Sequence, residues 1–299
     1  MDTQLEKALA NYDMIMGRTG SLYDELEPLR DVAFRFQEMM MIYKAAIREV
    51  RTKLEVLNDE FQVRSKRNPI RYIKQRVKRP DSILEKLHRR GFEISLDSMI
   101  KNLNDIAGIR VVCAYERDIY DIAQMLTKQD DVKLILTKDY IKNPKPNGYR
   151  SYHMIIAYTV NTIKGPKEIS AEIQIRTMAM NFWATIEHSL QYKYKENIPD
   201  YIQKKLIGAS EAIIEIDKAM SDVRDEIMDA QNSHQKKENL VKDILNNIQN
   251  LYKVANKREV TKIQDEFYKV YVMNDMMQLQ HFASQLDIIS EGYQTQSLT

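Results

Sequence analysis

The chain has 299 residues, 43% hydrophobic and 29% charged, which fits a globular protein of one or two domains with a real core. A single cysteine excludes an internal disulfide and a cysteine-built zinc cluster, and no apolar run approaches the ~18 residues of a membrane span. Net charge is +2, but between Arg64 and Arg90 eleven basic residues meet only two acidic ones, leaving about −7 for the remainder. Such a concentrated positive segment suits phosphates, on a nucleotide or on RNA.

The N-terminus "MDTQLEKALANYD" carries acidic residues and no apolar h-region, so we expect no signal peptide and a soluble cytoplasmic protein. Residues 1–66 read as an N-terminal helical arm, with "DVAFRFQEMMMIYKAAIREVRTKLEVL" as one long helix. Six of the seven prolines fall between Pro69 and Pro199, which delimits a mixed core over 67–200. In that core "SILEKLHRRG" is a short helix with a Ser82/Glu85 capping-box pattern and a stop at Gly91. Its Ile83, Leu84 and Leu87 share one face, and Lys86, Arg89 and Arg90 another. A second helix is expected over Ser98 to Ile106. Then "GIRVVCAY" reads as a strand that buries Cys113, "RDIYDIAQML" as a helix and "VKLILTKDYI" as a strand.

"PKPNGYRSYH" follows, a turn by its Asn147-Gly148 that also carries Lys145, Tyr149 and His153, more chemistry than a turn needs. Strands "SYHMIIAYTV" and "EISAEIQIRT", joined by "NTIKGPK", lead to the helix "MNFWATIEHSLQYKYK". Residues 201–299 form a C-terminal helical extension. It has no proline, and no glycine from Ala209 to Glu291; "SEAIIEIDKAMSDVRDEIMDAQN" and "ENLVKDILNNIQNLYKVANK" are amphipathic. The fold class expected is α+β: a mixed β-sheet core flanked by helices, with long N- and C-terminal helical arms.

The last strand's period of two puts Ile169, Ala171, Ile173 and Ile175 on one face and Glu172, Gln174 and Arg176 on the other. A half-exposed strand would look the same. Asp105 lies just before the first strand of the core, where a turn could aim a second carboxylate at the same side. Two carboxylates hold a hard cation, arginine and lysine neutralise phosphate oxygens, and a tyrosine ring stacks on a base. The chain has no GxxxxGK[ST], GxGxxG, HExxH or GxSxG pattern, and its five histidines show no metal-ligand spacing.

Together "QRVKRPDSILEKL", "DIAGIRVV", "KDYIKNPKPNGYRSYH" and "AEIQIRTMAMNFWATIEHSLQYKYK" resemble the synthetase domain of the RelA/SpoT family, and most of all its small single-domain members of the RelQ type, over residues 70–230. The resemblance implies a nucleotidyltransferase-like core that moves the β,γ-pyrophosphate of ATP to the 3′-hydroxyl of GDP or GTP, with Mg2+, giving (p)ppGpp and AMP. It implies that Arg76 and Arg110 flank the adenine, and that Lys78, Lys86 and Arg89 meet the ATP phosphates. Asp105 and Glu172 become the catalytic, metal-binding pair. Tyr149 stacks on guanine, Asn181 reads its edge, and Lys138, Lys145, Asn147, His153 and Gln174 complete the acceptor pocket. It also implies a homo-oligomer, most simply a tetramer. Hydrolase activity is not expected, since no His-Asp pair occurs. Two alternatives stay open: a toxin that transfers pyrophosphate to the 3′ end of tRNA, and an RNA-binding regulator with weak catalysis.

Overall fold

The computed structural model describes residues 4–10, 23–65, 67–194 and 198–296. The helical reading of residues 1–3 and 11–22 lies outside them. The chain divides into two compact units, Met1–Ser221 and Asp222–Thr299.

The first unit opens with α1 (Gln4–Ala10) and the long α2 (Tyr23–Ser65). Five strands follow: β1 (Ile70–Val77), β2 (Ala107–Cys113), β3 (Val132–Asp139), β4 (Tyr152–Thr162) and β5 (Gly165–Thr177). They form one sheet in the order β1-β2-β5-β4-β3, in which only β2 and β5 run parallel. One face of this sheet is apolar. Ile109, Val111, Met154, Ile156, Ala171, Ile173 and Ile175 share a core with Tyr43, Ile47, Val50 and Leu54 of α2. Those α2 positions recur at three- and four-residue spacing, so a single helical stripe covers the sheet.

β1 was not foreseen. Its "IRYIKQRV" stands out in the sequence only as part of the basic segment, yet Tyr72, Ile73 and Val77 carry strand propensity between the charges. As an edge strand it pairs antiparallel with β2 and leaves most of its charged side chains in solvent.

Helix α3 (Pro80–Arg89) begins one turn earlier than the capping-box reading of Ser82 and Glu85 placed it. Pro80, whose φ is preset and whose missing N–H would be unbonded there, starts the helix, so Ser82 lies inside the first turn and caps nothing. Its end is as expected. Gly91 has φ +67 and donates to the His88 carbonyl at 3.0 Å, while Phe92 N–H reaches the Leu87 carbonyl at 3.0 Å. Helix α4 (Leu96–Asn102) is capped by Ser95, whose hydroxyl accepts from Ser98 N–H at 3.2 Å. It stops four residues short of Ile106, because Leu103 turns extended to bury its side chain. Asp105 is thereby left in the turn before β2. Helix α5 (Glu116–Thr127) crosses to β3, and Cys113 is buried as expected.

After β5 come α6 (Met178–Tyr194) and α7 (Asp200–Val254). The two amphipathic helices expected in the extension are one continuous helix of 55 residues. In the second unit α7 meets α8 (Lys257–Met273) and α9 (Met276–Gln296). Ile244, Ile248 and Leu251 form a core with Val260, Phe267, Leu279, Phe282 and Leu286. The stripe running from Leu240 to Leu251, which on sequence alone called for a partner surface, is covered by the chain's own two following helices. No helix among the described residues is long and apolar enough to cross a membrane.

One buried acid belongs to this scaffold. Asp217 of α7 is 6% exposed, and Thr177 at the end of β5 donates its hydroxyl to Asp217 Oδ2 at 2.6 Å. Burial, helped by Glu116 and opposed by the Thr177 bond, pushes this carboxyl up to about 6. Between pH 4 and 6 the unfolded chain therefore loses a proton that the folded chain keeps, and stability falls as pH rises through that window. Asp217→Asn keeps an acceptor for Thr177 and removes the ionisation. Its stability relative to the parent should rise by about 1–3 kcal/mol from pH 4 to pH 7. Urea unfolding at the two pH values checks this, and parallel pH profiles would refute it.

Candidate active site

The sheet's second face carries the chemistry, and strand register lays it out in rows. Lys74 of β1 stands opposite Arg110 of β2, Arg110 opposite Gln174 of β5, Gln174 opposite His153 of β4, and His153 opposite Lys138 of β3. The adjacent row runs Arg76, Gly108, Glu172, Ile155. Gly108 has no side chain to fill this row. Beside it lies a cavity of about 220 Å3 lined by Arg76, Asp105, Arg110, Glu172 and Gln174. A second cavity, of about 480 Å3, is lined by Arg76, Lys78, Arg79, Lys86, Arg89 and His188.

Asp105 lies where α3 faces β1. Lys78 and Lys86 each bring an ammonium to its Oδ2 at 2.6 Å. Burial works against this carboxylate, but the two lysines outweigh it and hold the carboxyl below its ordinary range. Lys86 is itself lowered, by burial first, with Asp105 opposing. The other oxygen, Asp105 Oδ1, is buried without a hydrogen-bond partner.

Glu172 belongs to a closed ring of side chains. His153 Nδ1 is 3.0 Å from Glu172 Oε1, and Gln174 Nε2 donates to Glu172 Oε2 at 2.9 Å. Arg176 donates one amino group both to Gln174 Oε1, at 2.9 Å, and to the Tyr149 hydroxyl. The Tyr149 hydroxyl lies 2.9 Å from His153 Nε2, which closes the ring. Ionised Glu172 only accepts, so the network assigns the His153 proton to Nδ1, and Tyr149 donates to Nε2. Burial pushes Glu172 up, but His153 and Gln174 hold it below its ordinary range. Burial lowers His153, against the pull of Glu172, and keeps it neutral at pH 7.

The 145–148 turn holds Tyr149 in this ring. Gly148 N–H donates to the Lys145 carbonyl at 2.8 Å, with Pro146 and Asn147 between them, and Gly148 has φ +88, which suits only glycine. Asn147 braces the loop and ties it to α6. Its Oδ1 accepts from Tyr149 N–H at 3.2 Å and its Nδ2 donates to Glu187 of α6 at 2.8 Å. The Lys145 ammonium stands over the Tyr140 and Tyr149 rings at 4.8 and 4.7 Å. Its proton affinity is lowered by burial first, with Glu172 opposing.

The structure thus gathers Lys145, Tyr149, His153, Glu172 and Gln174 in one cluster, and Arg76, Lys78, Lys86, Arg89, Asp105 and Arg110 along two adjoining cavities. Lys138 is exposed on the edge strand, in register with His153. Asn181 stands apart. Its Nδ2 donates to the Tyr72 hydroxyl of β1 at 2.9 Å, and its side-chain oxygen Oδ1 is buried without a partner. Sequence reasoning put Arg176 on the right face without a role. It missed Lys74, Tyr140 and His188; Lys74 alone had a signal, in its alternation with Arg76 and Lys78.

The region found in RelA / SpoT proteins matches residues 75–197. The chain is 37% identical over 202 residues to the GTP pyrophosphokinase YwaC of Bacillus subtilis (strain 168), spanning 68% of this chain and 96% of that protein. It is 39% identical over 203 residues to the GTP pyrophosphokinase YjbM of the same organism, spanning 68% and 95%. Among solved structures, small alarmone synthetase 1 from Bacillus subtilis bound to its product pppGpp matches with a TM-score of 0.61 at 39% identity, over 65% of this chain and 98% of that one. A GTP pyrophosphokinase family protein from Streptococcus pneumoniae matches with a TM-score of 0.61 at 43% identity, over 66% and 96%. With its sheet, its paired carboxylates and its basic rows in the matched region, this chain belongs to the RelA/SpoT family.

Proposed function

We propose that this protein is a (p)ppGpp synthetase that transfers the β,γ-pyrophosphate of ATP to the 3′-hydroxyl of GDP or GTP and releases AMP. The observation that carries this reading is the convergence of Asp105 and Glu172 on one cavity with cations on both sides. The family supports the choice of reaction. ATP and guanine nucleotides as substrates also lead us to place the enzyme in the cytoplasm.

In this reading ATP lies along β1 and α3. Arg76 and Arg110 flank the adenine, and Lys78, Lys86 and Arg89 meet the phosphates. Guanine enters beside Tyr149. Stacking there requires the Lys145 ammonium to leave the ring, and the freed cation is well placed for acceptor phosphates. Asn181 completes the base contacts with its unpartnered Oδ1, which accepts from the guanine edge.

The attacked β-phosphorus is screened by negative oxygens, so catalysis is mainly alignment and charge neutralisation. Among the described residues no cluster of three or more His, Cys, Asp or Glu is arranged to hold a metal unaided. Asp105, with its unpaired buried Oδ1, and Glu172 fit magnesium, which needs few carboxylates when phosphate oxygens supply other ligands. Bound between them, the ion would neutralise charge on the transferring group. Glu172 orients the 3′-hydroxyl and takes its proton as the new O–P bond forms. The bond from the β-phosphorus to the AMP oxygen breaks in the same step. Neutral His153, held by Tyr149, keeps the Glu172 carboxylate in position.

A tRNA 3′ end as acceptor is the second reading, supported by the local +9 of residues 64–90. Labelled ATP supplied with GDP, GTP or tRNA separates the two by product.

We also propose a homotetramer. Within the first unit, Phe34 and Met41 of α2 and Ile216 and Met220 of α7 are large apolar residues between 52% and 55% exposed.

Three outcomes are expected. Glu172→Gln should lower turnover by more than ~100-fold with the fold intact, read by product formation alongside circular dichroism. Tyr149→Ala should raise the acceptor KM about tenfold and leave the ATP KM in place, and the reverse pattern would exchange the two pockets. Light scattering at micromolar concentration should find a tetramer, and a species at the 35.2 kDa monomer mass rules assembly out.

A further inference from the structure

The sequence reading placed the whole site within residues 67–200. One contact comes from outside that span. Ser210 of α7 is 4% exposed, and its hydroxyl donates to the Gly148 carbonyl at 2.5 Å. Gly148 is the residue whose left-handed backbone turns the chain into Tyr149. The approach is close: a Cβ built on Gly148 would lie 3.0 Å from Ser210 Cβ and 3.4 Å from Trp183 Cζ2. Trp183 in turn ties α6 to α7, since its indole N–H donates to the Leu206 carbonyl at 2.8 Å. The loop therefore has two anchors, Asn147 to Glu187 on α6 and Gly148 to Ser210 on α7.

We infer that Ser210 is a positioning residue for the acceptor, a serine on the long C-terminal helix that sets how the Tyr149 ring is presented to the guanine base. The inference rests on the reading of the Tyr149 loop as the acceptor site.

The physical argument has three steps. The Gly148 carbonyl takes no part in the loop's own backbone bonds, which run from Gly148 N–H to the Lys145 carbonyl and from Lys145 N–H to the Tyr149 carbonyl. Without the Ser210 hydroxyl this half-buried oxygen would lose its protein donor, and the turn would relax toward another. Tyr149 is the next residue, so such a shift moves its ring and the hydroxyl that holds His153. The donor side is untouched, because Arg76 lies on β1, Lys78 just beyond its end and Lys86 on α3. A substitution at Ser210 should therefore separate the two substrates.

The experiment is steady-state kinetics on the full chain, with GDP or GTP and ATP varied in turn, for four variants: Ser210→Ala, Tyr149→Ala, their double mutant and Ser221→Ala. Alanine is the better helix former, so Ser210→Ala does not melt α7. Ser221→Ala removes a serine of the same helix that bonds only the Asp217 carbonyl, and it reports any general effect of the change. The expected result for Ser210→Ala is an acceptor KM raised about fivefold, the effect of one hydrogen bond. Its ATP KM should be unchanged, Ser221→Ala should be silent, and Ser210→Ala should cause less than about a twofold further change in the Tyr149→Ala background, where the ring it positions is gone. If Tyr149→Ala raises the acceptor KM and Ser210→Ala does not, or if Ser210→Ala raises both KM values equally, the positioning role is overturned and the loop reading survives. If Tyr149→Ala itself leaves the acceptor KM unchanged, the loop reading fails and the role of Ser210 with it.

Discussion

Arg176 is a guanidinium only 3% exposed, and the active-site face is organised by what satisfies it. A buried charge is tolerated when its donors are bonded, and this one bonds the Tyr149 hydroxyl, the Gln174 amide oxygen and the Ser151 hydroxyl. Each of these partners is thereby held in one orientation. Gln174, with its oxygen taken, turns its amide N–H to Glu172. Tyr149, accepting from Arg176, has its own proton free for His153. His153 then presents Nδ1–H to the other oxygen of Glu172. A single buried cation so determines, through neutral groups, the direction of a carboxylate on the row next to it, and keeps that carboxylate ionised without ion-pairing it directly.

Asp105 is stabilised by a different arrangement. Two lysines from separate elements, Lys78 beyond the end of β1 and Lys86 in α3, converge on one of its oxygens. These cations repel each other, and without the carboxylate they would not share that space. Asp105 thus collects in advance the charges that phosphates need, and its other oxygen stays available. Glu172 is held through hydrogen bonds relayed from Arg176 by Tyr149, Gln174 and His153, and Asp105 by direct ion pairs; in the function we propose, the first is the acceptor side and the second the donor side. That division suits a base to be recognised on one side and a polyphosphate to be neutralised on the other.

The helices around the sheet are more than cover. Helix α2 buries the apolar face and so commits the polar face to the site. Helix α6 begins where β5 ends, with Thr177 accepting from Met180 N–H at 3.0 Å, and carries Trp183 and Glu187 beneath the Tyr149 loop. Helix α7 supplies Asp217 to Thr177 and Ser210 to Gly148. Farther along, its apolar stripe is enclosed by α8 and α9 in a core of its own, so the extension is folded by the same burial that folds the sheet.

Local chemistry in the sequence determined a good deal. The alternation in "EISAEIQIRT" assigned Ile173 inward and Glu172 outward, because a strand has a period of two whatever it pairs with. Gly91 ended a helix and Gly148 made a turn, since both positions require a backbone that other residues resist. Four motifs in order marked the family. Other features were settled only in three dimensions. β1 is a strand because β2 offers it an edge, and its charges concealed it until that partner was known. Pro80 rather than Ser82 began α3, as competing start signals lay two residues apart. The stripe at Ile244 to Leu251 found its cover inside the same chain, which periodicity cannot distinguish from a second copy. The rows themselves depend on pairing Gly108 with Glu172 and Arg110 with Gln174, residues 64 positions apart in the chain. Ser210 meets Gly148 from 62 residues away. Sequence spacing encodes which face a side chain takes on its own element, whereas register and docking decide which element it then faces, and those are set by the whole core packing at once.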